Sequence, residues 1–475
     1  MIAPPARQVD LFHSPLDKQV SLIKDDLLDP IDKLLDDPEL LALVRDKLSR
    51  RSPQSTRTGR RSIAPDRLLR CCVLKHVKAW SFRQLEREVR TNLVYRRFTR
   101  FDADLTPDHV TYSRNFTALG GDVMEAIDRL VVNKAQDQAV APGRKLRTDT
   151  TVVESNIHHP TDSGLLADGV RVLTRLIRRV ADGCKPGAVT VVNHGRAVRN
   201  RLIEIIRASK STAASAKGRM TDSYRKLVKL TEAVVSQAAD LCKRLHDGGL
   251  EVVADAELAV EGAVKRLDEF LPLVRRVLHQ TKERVFEGNH HVANKLLSLF
   301  ETHTQVIRKG KLSKPVEFGR LVRIDEVEGG IVSRAEVLEG NAADTNSWKG
   351  ALVNHRKTFG HAPRMATADR GFFSARNERQ ARAMGVKKVV LPARGRLSAK
   401  RRKLERERWF RRARRWRSGI EARIATLKHR FAMVRATYKG EAGFKRYVGW
   451  TVIGHNLVSL ARVLVRRRAL AAKDA

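Results

Sequence analysis

Hydrophobic positions recur at helical spacing through the first third of the chain, change to period two for one short segment, and return to helical spacing for a long stretch. Ile31, Leu34, Leu35, Leu40 and Leu41 carry the first helical phasing, and the polar, basic stretch RSPQSTRTGRRS after them reads as a linker. This predicts a helical extension and linker over residues 1–55. From Pro65, the residues Leu68, Leu69, Cys72, Val73 and Val77 form one apolar face, and Ser81 stands as N-cap of the next helix, SFRQLEREV. Short helices with tight turns are therefore expected over 56–140. KLRTDTTVVES then alternates in period two and is dense in β-branched residues, which predicts a strand from Leu146 to Val153. Segments such as LLADGVRVLTRLIRRV and SYRKLVKLTEAVVSQAADLCKRL restore helical periodicity from 165 to about 312. Strands resume in GRLVRIDEV and GIVSRAEVL, joined by the turn Glu328-Gly329-Gly330, a hairpin signal. A helix near Ser347 to Lys357, a strand in RMATAD, a helix from about Ser374 and a strand in VKKVVLP complete the pattern, with helices at the end.

With the helical block set aside, the order is strand, strand, strand, helix, strand, helix, strand, helix. That order matches the α/β ribonuclease H-like fold, a mixed sheet flanked by helices. The expected architecture is an N-terminal all-α domain (56–140), the first part of the core (141–164), an all-helical insertion after the first strand (165–312), and the remainder of the core (313–475).

Composition narrows the partner. A chain of 475 residues with 42% hydrophobic content fills about two to four folding units. The 93 Lys+Arg against 53 Asp+Glu give a formal charge of +40, which points to a polyanion. The basic residues have no lipid-inserting apolar face beside them, so nucleic acid is favoured over a membrane surface. No uninterrupted apolar run of about 18 residues and no secretory leader pattern are visible. Cys71, Cys72, Cys184 and Cys242 fit neither a zinc spacing nor a disulfide scaffold and read as reduced thiols. The expectation is a cytoplasmic, nucleoid-associated bacterial protein.

Two basic regions are candidates for DNA contact. Arg83, Arg87, Arg90, Arg96, Arg97 and Arg100 suit a compact unit of helix-turn-helix character, or equally a helical bundle with a solvated basic face. The stretch 394–417 holds thirteen basic residues among twenty-four, including Arg411, Arg412, Arg414 and Arg417, with Trp409, Phe410 and Trp416 interleaved as rings for unpaired bases.

Three acids stand out. An ionised carboxylate in mid-strand is costly unless compensated, so Asp149 in TDTTVV asks for a metal ion or an arginine, Arg147 being one choice. Asp369 in ATADRGFF lies at a strand's carboxyl end, where open α/β sheets place their sites, although a turn role also fits. Glu421 lies beside the apolar stripe Ile420, Ile424, Leu427 and Phe431, and Ser418-x-x-Glu421 is also a capping box. If the helix extends back through Arg417, then Arg417, Glu421 and Lys428 share one face, the arginine orienting the carboxylate and the lysine meeting phosphate.

The spacing R-x-x-x-E-x-x-x-x-x-x-K at Arg417, Glu421 and Lys428 resembles the tyrosine-arginine-glutamate-lysine signature of bacterial insertion-sequence transposases of the Asp-Asp-Glu class. The tyrosine position of that signature holds Arg414. PDHVTYSR (107–114), TDTTVVESN, ADRGFFS, the Gly340-Asn341-x-x-Asp344 motif and HNLVSLAR (455–462) are also similar, covering about residues 60–465. The resemblance implies that Asp149, Asp369 and Glu421 are catalytic acids holding Mg2+ or Mn2+. Two ions about 3.5–4 Å apart would then drive cleavage and strand transfer on double-stranded DNA, at terminal repeats and target alike. A homodimer or larger assembly on DNA follows from the need to pair two ends. A transposase-derived protein that binds DNA without cutting it, and a structure-selective nuclease on the same fold, are the alternatives. The pairs His158-His159 and His290-His291 lack partners at zinc spacing.

Overall fold

Polar side chains start the N-terminal helices and apolar faces pack them. The computed structural model describes residues 25–50, 63–101, 104–308 and 315–474, and the expected linker RSPQSTRTGRRS lies outside them. Helix α1 (Leu28–Leu35) leads to α2 (Pro38–Ser49), whose N-cap Asp37 accepts from the Glu39 and Leu40 amides. Helix α3 (Pro65–Val77) is followed by α4 (Phe82–Thr91), which Ser81 and Gln84 start with a reciprocal capping box. Helices α5 (Leu93–Phe98) and α6 (His109–Asp137) start at Asn92 and Asp108, whose side chains accept from the Val94 and Tyr95 amides and from the Thr111 amide. The expected apolar face of α3 is buried, but so is the rest of the helix. Even Arg70 is fully enclosed, its charge met by Asp32 at 2.6 Å and Asp36 at 2.7 Å.

The chain is mixed α/β and mostly helical, with a seven-stranded mixed sheet and an N-terminal helical region. It divides into two units, one formed by residues 1–156 and 305–475, the other by Ile157–Thr304. In the first, β1 (Lys145–Ser155) is the central strand; its β-branched residues tolerate burial on both faces. The second unit is helical, with α7 (Asp162–Asp182), α8 (Gly195–Ser209), α9 (Ala216–His246) and α10 (Glu257–Phe286) around a core that includes Leu173, Ile177, Leu227 and Val274.

After the helical unit the sheet is completed by β2 (Gln305–Ile307), β3 (Glu317–Glu326) and β4 (Val332–Val337). The turn between β3 and β4 places Gly329 and Gly330 at φ of +68° and +73°, which side-chain-bearing residues rarely adopt. Then come α11 (Asp344–Phe359), β5 (Met365–Thr367), α12 (Ala375–Ala383) and β6 (Lys388–Val390). Strand β1 runs antiparallel to β3 and parallel to β5, and β5 is parallel to β6. The path is β2-β3-β1-β5-β6, with β4 also on β3. Helices α13 (Ala399–Arg406) and α14 (Arg408–Arg430), the short β7 (Arg435–Ala436) and α15 (Gly440–Asp474) close the chain, β7 pairing with β1.

Helix α15 contains what the sequence pattern concealed. Its apolar residues are interrupted by Gly, Thr, His and Asn, so no continuous run is seen. By length and composition it nevertheless matches a membrane-crossing helix, with a mean hydropathy of 1.4 over its best window, 67% of which is buried within the protein. Trp450, Ile453 and Leu457 belong to the same core as α3 and α6. Asn456 fastens the helix to β4, its amide donating to the Val332 carbonyl at 2.8 Å and accepting from the Val332 N–H at 2.9 Å.

Candidate active site

Alternation along β1 turns Arg147 and Asp149 toward the same side of the sheet, the side covered by α14. Arg147 does not serve Asp149. It binds Glu326 on β3 through two hydrogen bonds of 2.6 and 2.8 Å, donates to the Trp416 carbonyl, and lies 4.7 Å over the Trp416 ring. The arginine that meets Asp149 is Arg417, whose Nη1 lies 3.7 Å from Oδ2 of Asp149. The other end of the same guanidinium donates to Oε1 of Glu421 at 3.0 Å. One arginine therefore joins two of the three acids singled out in the sequence.

Helix α14 begins at Arg408, so Ser418 sits in its interior and donates to the Arg415 carbonyl at 2.7 Å. The capping-box role for Ser418 and Glu421 is thereby overturned: an N-cap needs the helix to start there, and it starts ten residues earlier. Ile420, Leu427 and Phe431 are buried and Ile424 packs beside them, which turns Glu421 outward, 65% exposed. Lys428 lies on the face of Arg417 and Glu421 and is partly buried.

Asp369 follows β5 and starts a single turn of 3-10 helix, its Oδ1 accepting from the Gly371 N–H at 2.7 Å. Lys145, Leu146 and Arg147 pair with Met365, Ala366 and Thr367. That pairing ends two residues short of Asp149 on β1 and two short of Asp369 after β5. A fourth acid lies close by: Asp344, at the start of α11, accepts from the Thr150 hydroxyl at 2.7 Å. A Cβ at Gly371 would meet Asp344 Oδ2 at 2.7 Å and Asp369 Oδ1 at 2.8 Å, so only glycine lets both carboxylates approach. In the sequence Asp344 appeared only as the end of a short motif; its signal was an acid in the first turn of a helix that follows the hairpin.

Carboxylate oxygens are the hard donors that Mg2+ or Mn2+ prefer, so the donor chemistry of Asp149, Asp369 and Glu421 fits such an ion. Among the described residues no three His, Cys, Asp or Glu side chains converge as a ready cluster, and Glu421 is paired with Arg417. Of the histidine pairs, His158 lies 3.5 Å from Asp168, and His290 and His291 are exposed. All four cysteines are buried free thiols, and burial pushes Cys71 up to about 12.

The DNA-contact candidates separate by burial. Arg411, Arg412 and Arg414 are exposed along α14, and Arg83 and Arg87 along α4, Arg87 also pairing with Glu88 at 2.7 Å. Arg100, in contrast, is tied to Asp36 at 2.6 Å and braces α1. Base stacking by the interleaved rings is not supported for Phe410, which is 1% exposed among Val390 and Ala413, because helical phasing turns it inward. Trp409 already carries Lys388 on its ring, and Trp416 carries Arg147.

Beneath the acids lies a buried network. Glu326 is fully enclosed and accepts from Arg423 as well as Arg147; Arg423 in turn contacts His455 at 2.9 Å. Burial, and then the charge of Arg423, lower the pKa of His455 to about 3. Burial lowers that of His355, whose Nε2 donates to the Gly143 carbonyl, to about 4. In the unfolded chain both titrate near 6.5. Between these values the unfolded state binds protons that the folded state refuses, so stability should fall as pH drops below about 6.5. Each histidine contributes a slope of roughly 1.4 kcal/mol per pH unit, until the pH passes its folded value. Urea unfolding of wild type and His355→Gln between pH 7 and 4.5 checks this; parallel profiles would refute it for His355.

The chain matches no curated protein and no solved structure. Residues 14–118, which contain α1 to α5 and the start of α6, match the model of a transposase domain (DUF772). The N-terminal helical region is thus a transposase domain, and the protein is transposase-related.

Proposed function

We propose that the protein is a DNA transposase of the Asp-Asp-Glu type, with a ribonuclease H-like core in which Asp149, Asp369 and Glu421 are the catalytic acids. The observation that carries this is Arg417, which joins Asp149 to Glu421, in a chain with a transposase domain at its N-terminal end; Asp369 approaches Asp344 across Gly371, and Asp344 accepts from Thr150, the residue after Asp149. The strand path, with β3 antiparallel between β4 and β1 and with β5 and β6 parallel to β1, supports the ribonuclease H-like assignment.

Magnesium or manganese held by the three carboxylates would supply Lewis acidity to an attacking oxygen and a leaving oxygen. The protein's own groups do the positioning. Arg417 fixes the two carboxylates that it bridges, the Gly371 amide fixes Asp369, and Lys428 and Arg414 face phosphate from the same helix. No side-chain nucleophile is required: the oxygen of water bonds to phosphorus, the bond from phosphorus to the 3′ oxygen breaks, and a 3′ hydroxyl is left. The oxygen of that hydroxyl then bonds to a phosphorus of the target, the bond from that phosphorus to its own 3′ oxygen breaks, and the target strand is left with a 3′ hydroxyl. The exposed arginines of α14 and α4 hold the duplex, and a dimer or larger assembly pairs two element ends.

The test is incubation of the purified chain with a duplex carrying the element's own ends, with Mg2+ or Mn2+ and with EDTA. Metal-dependent nicking at the end is expected, with affinity that falls steeply as salt rises because bound phosphates release counterions. Binding with no metal-dependent nicking would overturn the assignment and favour a transposase-derived DNA-binding protein.

A further inference from the structure

In the helical unit, the outward side of α7 carries Arg171, Arg175, Arg178 and Arg179, all exposed. Asp168 neutralises only Arg171, at 2.6 Å; Arg175, Arg178 and Arg179, and Arg199 on α8, have no carboxylate partner among the described residues. A cleft of about 480 Å3 separates α7 from α8, and Arg171, Arg175, Arg178 and Arg199 line it. Four guanidiniums around one cavity repel each other unless an anion is present.

Two further features of the cleft point the same way. Thr174 lines it, is 8% exposed, and its hydroxyl has no hydrogen-bond partner. An enclosed hydroxyl without a partner costs free energy that a ligand oxygen would restore. Asn193 and Gly195 also line the cleft, so the amino end of the fifteen-residue helix α8 opens onto it. Its N-cap, His194, makes no capping hydrogen bond from its side chain, and Asn193 Oδ1 accepts from the Gly195 N–H at 3.0 Å, which meets one of the amides at that end and leaves the others to face the cleft.

We infer that this cleft is a second nucleic-acid site, which takes phosphates of the duplex DNA backbone. The inference rests on DNA being the partner, as proposed above. Arg171, Arg175 and Arg178 advance along α7 by roughly 6 and then 4.5 Å, steps that suit successive phosphates of one strand better than a single small anion. No aromatic ring lines the cleft, so it holds backbone and does not read bases. A second, smaller hollow of about 170 Å3, lined by Arg175, Arg179 and Arg266 on the other side of the α7 ridge, extends the basic surface toward α10.

The experiment uses the full-length chain without divalent metal and a duplex of arbitrary sequence, with affinity read by fluorescence anisotropy across a salt series. The triple variant Arg175→Glu, Arg178→Glu, Arg199→Glu should bind more weakly, with its log–log salt slope reduced by about 0.9 for each phosphate that is no longer neutralised. The matching triple lysine variant should keep most of the slope. Thr174→Val, which removes an unpartnered hydroxyl, should leave the melting temperature unchanged or raised yet weaken duplex binding by about tenfold. Wild-type affinity and slope in both the glutamate and valine variants would overturn the inference. So would protection of these arginines from phenylglyoxal by millimolar inorganic phosphate as complete as that by duplex, since the cleft would then be a small-anion site. Because no metal is present, failure of the cleavage assignment leaves this readout intact.

Discussion

Asp149→Ala, Asp369→Ala and Glu421→Gln should each lower metal-dependent nicking of element-end duplex on the order of a thousandfold or more, while duplex binding stays within a few-fold of wild type. The size follows from cooperation among the acids, since ligands that act together on one metal centre lose nearly the whole effect when any one is removed. The binding expectation follows from charge, since a chain with a formal charge of +40 grips phosphate through its arginines and barely through three acids. Stability should hardly change for Glu421→Gln, because that side chain is 65% exposed and its pairing with Arg417 is a surface one. A loss of nicking there is therefore a loss of chemistry and not of fold. Arg417→Lys provides the companion measurement. A lysine has no planar fork with which to reach Asp149 and Glu421 together, so nicking should fall while the melting temperature holds. Single-turnover nicking assays with each variant decide the matter, and unchanged rates for any one acid would remove that residue from the site.

What the sequence made legible was whatever local pattern controls. Alternation in KLRTDTTVVES located β1 to within a residue or two at each end, and Ser81 and Ser374 start their helices as hydroxyl caps. The apolar stripe of α14 also emerged, because helical spacing alone turns Ile420 and Leu427 inward. Pairings between distant segments were hidden. Nothing near Arg147 reveals that its partner is Glu326, far along the chain, leaving Asp149 to Arg417. Arg100 counts as one more basic residue in the sequence but belongs with Asp32 and Asp36 of an earlier helix. Asp344 was overlooked because its place beside Asp369 depends on Gly371, whose missing side chain matters only once α11 and β5 are packed together. Short strands such as β5 and β6 take their extent from their neighbours in the sheet and not from their own three residues.

The largest stability effect should come from Glu326→Ala, a residue that touches neither DNA nor metal in the proposed mechanism. Its carboxylate is fully buried and binds Arg147 at 2.6 Å and Arg423 at 3.1 Å, with Arg147 11% and Arg423 23% exposed. Removing it leaves two largely enclosed guanidiniums unmatched, which costs about 3–5 kcal/mol in comparable cases. For a unit of this size that corresponds to a melting temperature lower by roughly 4–7 °C. Glu326→Gln keeps the shape and one acceptor oxygen, so it should fall between the two. The consequence for function follows from where the arginines sit. Arg147 precedes Asp149 by two residues on β1, and Arg423 follows Glu421 by two on α14, so Glu326 ties the strand that bears one acid to the helix that bears another. Loosening that tie should reduce nicking at a temperature where the variant is still fully folded, and stronger metal supplementation should restore part of it, because the acids remain while their spacing relaxes. Calorimetry paired with nicking assays at 15 °C tests both halves. A change in melting temperature under about 2 °C would refute the energetic claim, and full nicking in the folded variant would show that the tie between β1 and α14 does not set the spacing of the acids.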